Sequence, residues 1–373
     1  MSGPRVAIVS DPLVQRGGAE RCVEAMAESF PTAPVFALLY SARDGPASLA
    51  ARVIPSGLNR IPGATRRHRW LLPLYPAAIE SFDLSDYDII VSSHHTAAKG
   101  LLRNANQYHL CYCHTPMRAL WERPFDELRT LPRPARPLAA VVLRQLRNWD
   151  FVSAARVDDF IVNSETTRAR VLKHYRREST VLHPPIDTDH FCPGEAIDND
   201  DYYLVASRLV PYKRVDLAVA ATAALGRPLV VVGSGPGVAS LRAPHVTYKG
   251  HVSDAELVSL MRRARAMIFP AFEDFGMAPV EMMACGRPVL ALGRGGASET
   301  VIDGLTGVLA AEQTVAAFVA AIGRLESMSF SRSRIRAHAE GFSRGRYVAA
   351  LRSAALDGYA RMIEQPRVPA LSP

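Results

Sequence analysis

Two carboxylates eight residues apart, Glu273 and Glu281, bracket the segment Phe275-Gly276-Met277-Ala278-Pro279. The apolar run before them and the helical pattern after predict Glu273 in a strand-to-helix loop and Glu281 about one turn inside the helix. A carboxylate accepts hydrogen bonds from sugar or ribose hydroxyls. Gly276 lets backbone come close to a ligand, and Pro279 suits a first helical turn. Amides from Phe275 to Ala278 would then face a phosphate or a sugar. Surface acids without a role are the plain alternative. Arg208 and Lys213 follow the apolar run Tyr202–Ser207. That puts two cations at the carboxyl end of a strand, where open α/β sheets bind ligands. Arg supplies a bidentate fork and Lys a point charge, which together suit a diphosphate. Gly17-Gly18 stands between the first strand and a helix, where bare amides can face an anion. Gly233-Ser234-Gly235-Pro236-Gly237 takes the equivalent place in the second half and is a weak signal alone.

Other chemistries are excluded by spacing. The first strand is followed by Asp11-PLVQR-Gly17-Gly18, which is not the G-x-G-x-x-G of a dinucleotide site. There is no phosphate-binding G-x-x-x-x-G-K-[ST], no G-x-S-x-G elbow and no H-E-x-x-H. Asp187-Thr188-Asp189 follows two prolines and reads as a turn rather than a metal motif. The five cysteines are scattered, and Cys111-x-Cys113 lacks metal-ligand spacing. Reduced, mostly buried thiols are expected, with no metal and no cofactor.

The elements that must hold these residues alternate. Runs apolar at nearly every position occur at 6–10, 88–93, 108–114, 160–164, 202–207, 229–233, 266–271 and 288–292. Strands of that kind are covered on both faces, as in parallel sheets. Helical patterns such as 19–30 and 254–265 lie between them, the second opened by Ser253 with acids in its first turn. At 373 residues the chain suggests about two domains at roughly 100–200 residues each. The proline- and acid-rich stretch 183–201 marks the boundary. Two Rossmann-like, doubly wound α/β domains are therefore expected, residues 1–183 and 184–342. A helix and frayed tail, 343–373, would follow, with the helix packing back toward the first domain. Arg129–Pro137, rich in Pro and Arg, reads as a mobile loop.

The net charge of +8 is unevenly placed: residues 1–183 carry 24 Lys/Arg against 17 Asp/Glu, and the remainder 20 against 19. Much of the excess is Arg60, Arg66, Arg67 and Arg69 beside Trp70-Leu71-Leu72. The segment Arg60–Leu72 is either a solvated face or an interfacial segment that meets anionic lipid headgroups. Nucleic acid is not expected, since no recognised motif accompanies the charge. No apolar run reaches the roughly 18–20 residues of a transmembrane helix, and the first residues do not read as a signal peptide. A cytoplasmic chain with peripheral attachment to the inner membrane face is the expectation.

Glu273-x7-Glu281, Ser207-Arg208-x4-Lys213 and Gly295-Gly296-x2-Glu299-x3-Asp303-Gly304-x2-Gly307 together resemble the retaining GT-B glycosyltransferases of family four. In the first half, Tyr112-Cys113-His114-Thr115-Pro116-Met117-Arg118-x2-Trp121 is similar to the subgroup that builds bacterial surface polysaccharides, several of them mannosyltransferases. The resemblance implies a GT-B fold and transfer of a hexose, mannose from GDP-mannose, to a lipid-linked saccharide. The nucleotide-sugar would be a co-substrate. It implies that Arg208 and Lys213 bind the diphosphate, Glu281 the ribose and Glu273 the donor sugar's hydroxyls. Phe275, Gly276, Met277 and Ala278 would bind sugar and phosphate through their amides. Gly17 and Gly18 would close over the diphosphate, Val252 would lie near the base, and His114 near the reacting sugar.

Glu273 is the sole nucleophile candidate, and front-face attack assisted by the leaving phosphate is the other route to retention. His114 is a sugar contact, an acid/base group or a core histidine. Asp11 and Arg118 are assigned to the acceptor side. The competing readings are a UDP-sugar-dependent transferase of the same fold, a non-hydrolysing sugar-nucleotide epimerase and a silent nucleotide-sugar-binding subunit.

Overall fold

The computed structural model describes residues 3–194, 200–237 and 241–364. Their contacts divide into two units, one formed by residues 3–183 with 347–364 and the other by residues up to Arg346 from Pro184.

The first unit holds a seven-stranded sheet of β1 (Val6–Ser10), β2 (Val35–Ala37), β3 (Val53–Pro55), β4 (Ile89–His94), β5 (Tyr108–Cys113), β6 (Asp159–Val162) and β7 (Thr180–Val181). All pairs are parallel and the order is β3-β2-β1-β4-β5-β6-β7. Successive side chains along a strand point to opposite faces, so a strand covered on both sides must be apolar throughout. Ile8, Val91 and Leu110 pack with Val23 and Met26 of the helix Gly18–Ser29, while Ala7, Val9 and Ile90 pack with Tyr75 and Ile79 on the other face. Each such aliphatic side chain contributes about 1.5–3 kcal/mol when fully buried.

The second unit repeats the scheme with β8 (Tyr203–Ala206), β9 (Leu229–Val232), β10 (Val246–Gly250), β11 (Ala266–Phe269), β12 (Val289–Leu292) and β13 (Gly307–Ala310). The order is β10-β9-β8-β11-β12-β13, again all parallel. Leu204, Met267 and Val289 face one layer of helices, and Val205, Ile268 and Leu290 the other. Both sheets are doubly wound, as the alternating pattern requires. Their carboxyl edges carry the loops that matter below.

Five strands were not visible as apolar runs: β2, β3, β7, β10 and β13. All but β2 lie at a sheet edge; β3, β7 and β10 carry exposed positions there, whereas β13 is mostly buried. β10, for example, is exposed at Thr247, Tyr248 and Lys249. β2 is fully buried and only three residues long.

The Pro/Arg stretch is a correction. It is not a loop: a helix spans Pro124–Thr130, a 3₁₀ turn Arg133–Ala135 and a long helix Arg136–Ser153. Pro134 and Pro137 fall in first turns and Pro132 caps the 3₁₀ turn, places where the missing N–H has no helical partner to lose. The Arg136 guanidinium also ties the joint by donating to Leu131 O at 3.1 Å and Arg129 O at 3.3 Å.

The last helix is Arg344–Glu364, and from Tyr347 onward it completes the first unit. Tyr347 sets its ring 5.5 Å from that of Tyr112, and Leu351 and Ala355 are buried in the same cluster as Ile8 and Leu110. Gly358 is required there, because a Cβ would stand 2.0 Å from the Tyr108 hydroxyl. The expected tail, 365–373, lies outside the described residues.

Candidate functional site

In the second unit the singled-out residues meet at one edge of the sheet. Arg208 follows β8, Glu273 follows β11, and Lys213 ends the short turn Pro211–Lys213 that β8 feeds. Lys213 Nζ and Glu273 Oε1 form an ion pair, with only 11% and 16% of their side chains exposed. The ammonium also lies 5.7 Å from the Tyr212 ring centre and 5.8 Å from that of Phe269, near enough for cation–π attraction. Arg208 is exposed, and its Nη2 donates to the Tyr212 hydroxyl at 3.2 Å. The sequence suggested two uncommitted cations here. Instead Lys213 is already neutralised by a carboxylate sixty residues away, and Arg208 faces solvent.

The loop after β11 turns into the helix Met277–Ala284 through Gly276, whose φ of +84° is left-handed and favours glycine. Phe275 is buried, Met277 and Ala278 are half-buried in the first turn, and Glu281 is 5% exposed in the helix interior. The loop after β12 closes against this turn. Gly296 N donates to Glu273 O at 2.8 Å. A Cβ on Gly296 would stand 2.2 Å from both Asp274 O and Phe275 Cα. Backbone on both sides cannot give way, so Gly296→Ala is expected to cost up to about 3 kcal/mol in urea unfolding. A wild-type midpoint in that variant would show the loops to be looser than this packing implies. Gly233, after β9, has φ of +128° and would place a Cβ 1.8 Å from Ser207 O. Val252 lies in the turn before the helix Asp254–Arg263, half-buried against the unit's core.

In the first unit, His114 directly follows β5. Its Nε2 is 2.9 Å from Ser93 Oγ, and its carbonyl accepts from Asn163 Nδ2 at 2.9 Å. Burial pushes the imidazole down to about 3, with His95 adding repulsion. The ring is thus neutral over the physiological range, a hydrogen-bonding group and not a cationic acid. Arg118 opens the short helix Arg118–Trp121, with the Arg170 guanidinium close enough to feel its charge.

Asp11 is a second correction. It is 1% exposed, and both oxygens are occupied. Oδ2 accepts from the amides of His95 (2.6 Å) and Thr96 (2.7 Å), and Oδ1 from those of Ala97 (2.8 Å) and Ala98 (3.1 Å). Four amide bonds make it the anchor of the loop after β4 rather than a group that approaches an acceptor. Gly17 and Gly18 sit between β1 and a helix, as expected: Asp11–Arg16 separate them from β1, Gly17 caps the helix and Gly18 begins it. Glu20, in that first turn, is 3% exposed, and burial raises its pKa, partly countered by hydrogen bonds from its own amide and that of Gly17.

Two family models match the chain: Glycosyltransferase Family 4 over residues 16–190, and Glycosyl transferases group 1 over residues 188–342. The chain is thus similar in its first half to family 4 glycosyltransferases and in its second to group 1 glycosyl transferases. A D-inositol 3-phosphate glycosyltransferase of Mycobacterium sp. (strain KMS) is 31% identical over 203 residues, 47% of this chain and 45% of that protein. The chain thus spans less than half the length of the curated relatives it matches. Among solved structures, Anabaena Alr3699/HepE in complex with UDP and glucose superposes with a TM-score of 0.69 at 18% identity, covering 98% of this chain and all of that one. Sucrose-phosphate synthase from Thermosynechococcus elongatus gives 0.67 at 18%, covering 97% and 99%. These likenesses establish the GT-B fold.

The sequence placed Arg208, Lys213, Glu273, Gly276 and Glu281 at one edge, and the structure gathers them there. It did not single out Ser93, His95 or Glu20, which lie at the carboxyl edge of the first sheet with His114. The only signal for His95 and Ser93 was their place at the end of an apolar run. Asp187, from the D-x-D triplet, accepts from His190 N at 3.0 Å and organises a turn. Among the described residues no group of three or more His, Cys, Asp or Glu is arranged to hold a metal ion.

Proposed function

We propose that the chain is a retaining glycosyltransferase that moves a hexose from a nucleoside diphosphate sugar to a hydroxyl of a lipid-linked saccharide. The observation that carries this reading is the Lys213–Glu273 pair beside Gly276 and the buried Glu281, on the ligand-binding edge of a parallel sheet. Bond cleavage at the anomeric carbon puts negative charge on the departing diphosphate. Arg208, Lys213 and the first-turn amides of the helix Met277–Ala284 stabilise that charge. Glu281 takes the ribose hydroxyls and Glu273 those of the sugar. With Glu273 paired to Lys213 and assigned to hydroxyl contact, front-face attack is favoured over a covalent intermediate on that carboxylate.

The motif around His114 favours mannose and hence GDP-mannose, whereas a similar solved chain holds UDP-glucose. Calorimetric titration with GDP, UDP and ADP, first without metal and then with magnesium, separates the donors. Binding of none of the three would defeat the proposal. Replacing His114 by alanine is expected to lower turnover about a hundredfold with nucleotide affinity nearly unchanged, as for loss of a contact made in the transition state. Near wild-type turnover would remove His114 from the reacting centre.

Among the described residues no helix is long and apolar enough to cross a membrane. The reading of a membrane-borne acceptor rests on Arg60, Arg66, Arg67 and Arg69, all exposed beside Trp70, which is 74% exposed. Cations flanking an exposed indole suit an anionic interface. The chain should float with vesicles of phosphatidylglycerol and lose them as salt rises. Flotation indifferent to both lipid charge and salt would count against it.

A further inference from the structure

Arg265 directly precedes β11, and Arg287-Pro288 directly precedes β12. In a parallel sheet this is the amino edge, opposite the one that carries Arg208, Lys213 and Glu273. A pocket of about 250 Å³ opens there, walled by Met328 and Phe330 and lined by Arg265, Arg287, Arg332 and Glu326. Among the described residues that line it, three guanidinium groups stand against one carboxylate. That carboxylate is already engaged. Glu326 Oε2 accepts from Arg227 Nη2 at 2.8 Å, while Oε1 accepts from the Tyr203 hydroxyl at 2.9 Å and lies 3.5 Å from Arg265 Nη1. Arg265 also pairs with Asp201. Arg287 is 5% exposed, and its Nε donates to Arg262 O at 2.6 Å. Burial pulls its guanidinium below the usual range, and the charge of Arg332 adds to this. Arg332 opens the helix Arg332–Ala339, with its Cβ beside Gly286. Its Nη2 is buried without a hydrogen-bond partner. A buried donor without an acceptor is costly, and so are two like charges in a poorly solvated place. One anion between them relieves both.

We propose that this pocket binds a phosphate group, of inorganic phosphate or of a small phosphomonoester, which accepts from the Arg332 guanidinium beside the charge of Arg287. A phosphate carries close to two negative charges at neutral pH, enough to offset two guanidiniums where a carboxylate offsets one. Met328 and Phe330 give the body of an ester an apolar wall. The pocket is smaller than the roughly 300–1,000 Å³ of sites for drug-sized ligands, which suits a compact ester. The site lies wholly within the second unit and stands whether or not the chain transfers a sugar.

Calorimetry with inorganic phosphate and with glycerol phosphate, glycerol serving as control, tests the site in the Lys213→Ala background, where the diphosphate site contributes least. Adding Arg332→Ala to that background should weaken phosphate binding about tenfold or more, the loss of a hydrogen bond to a charged group. The more tightly bound of the two phosphates names the source. In the unaltered chain, the Arg332 side-chain N–H resonance, assigned by its loss in Arg332→Lys, should move as phosphate is added. That readout does not need Arg332→Ala to fold. An affinity unchanged by Arg332→Ala overturns the inference, and so does an Arg332 resonance that stays in place. Binding of neither phosphate, or of glycerol as tightly as its ester, overturns it as well.

Discussion

Replacing Lys213 with alanine should raise the Kd for the nucleoside diphosphate about a hundredfold or more. Two effects add. The variant loses the ammonium that meets the diphosphate, and it leaves the Glu273 carboxylate, 16% exposed, with no counter-charge beside an incoming anion. Truncating one member of such a pair costs about 2–5 kcal/mol, and each 1.4 kcal/mol is roughly tenfold in affinity. Glu273→Gln separates the two effects. It removes the repulsion and keeps the lysine, so nucleotide binding should hold or tighten while turnover falls. Calorimetry on the three proteins decides the matter. A Kd for Lys213→Ala close to wild type would mean that Lys213 serves the loop and not the ligand.

The second large effect is acid destabilisation. Burial holds His109 down to about 3, with Arg103 adding to it, and burial does the same to His114, helped by His95. A histidine in the unfolded chain titrates near 6.5. Below that value the unfolded state binds protons that the folded state refuses, so stability falls as pH drops from about 6.5 toward 3. Between pH 7 and 5 the loss is about 2 kcal/mol for each ring. His109 is 0% exposed, and its Nε2 is 2.8 Å from Ser92 Oγ, which gives it little room to gain a solvated charge. Carboxyl groups raised by burial, Glu20 and Asp158, act in the opposite direction, from their ordinary carboxyl values upward. Urea midpoints at pH 7 and 5 should therefore differ clearly, and a His109→Asn variant should lose part of the difference. Equal midpoints would mean that these rings take up protons without unfolding.

What the sequence made legible was what is local. β4 and β5, buried at every position, are largely apolar because both faces are covered, and that pattern needs no partner to be read. Gly276 and Glu281 fall where a strand–turn–helix passage puts them, within a dozen residues of one another. What was hidden depends on distant contacts. Asp11 looked like a free acid at a strand end, but its amide partners lie 84–87 residues downstream. Lys213 looked like a free cation until the fold brought Glu273 to it. The prolines of 129–137 suggested a loop because composition does not say that each falls at the cap or in the first turn of a helix. Glu20 gave no signal, and His95 none beyond its place at the end of an apolar run.

The return of the chain to the first unit at Tyr347 bears on how the protein is made. A ribosome delivers residues in order, so the second unit is fully synthesised before the helix that fills the Tyr108–Tyr112 face of the first has emerged. At about 5–20 residues per second that interval is on the order of ten to thirty seconds. Throughout it the first sheet has Ile8, Leu110 and Tyr112 lacking a neighbour they have in the finished molecule. The nascent first half is therefore the natural client of chaperones. A gene cut after His183 would express that vulnerable intermediate rather than a domain, whereas grafting residues 347–364 onto the cut end would restore its missing wall.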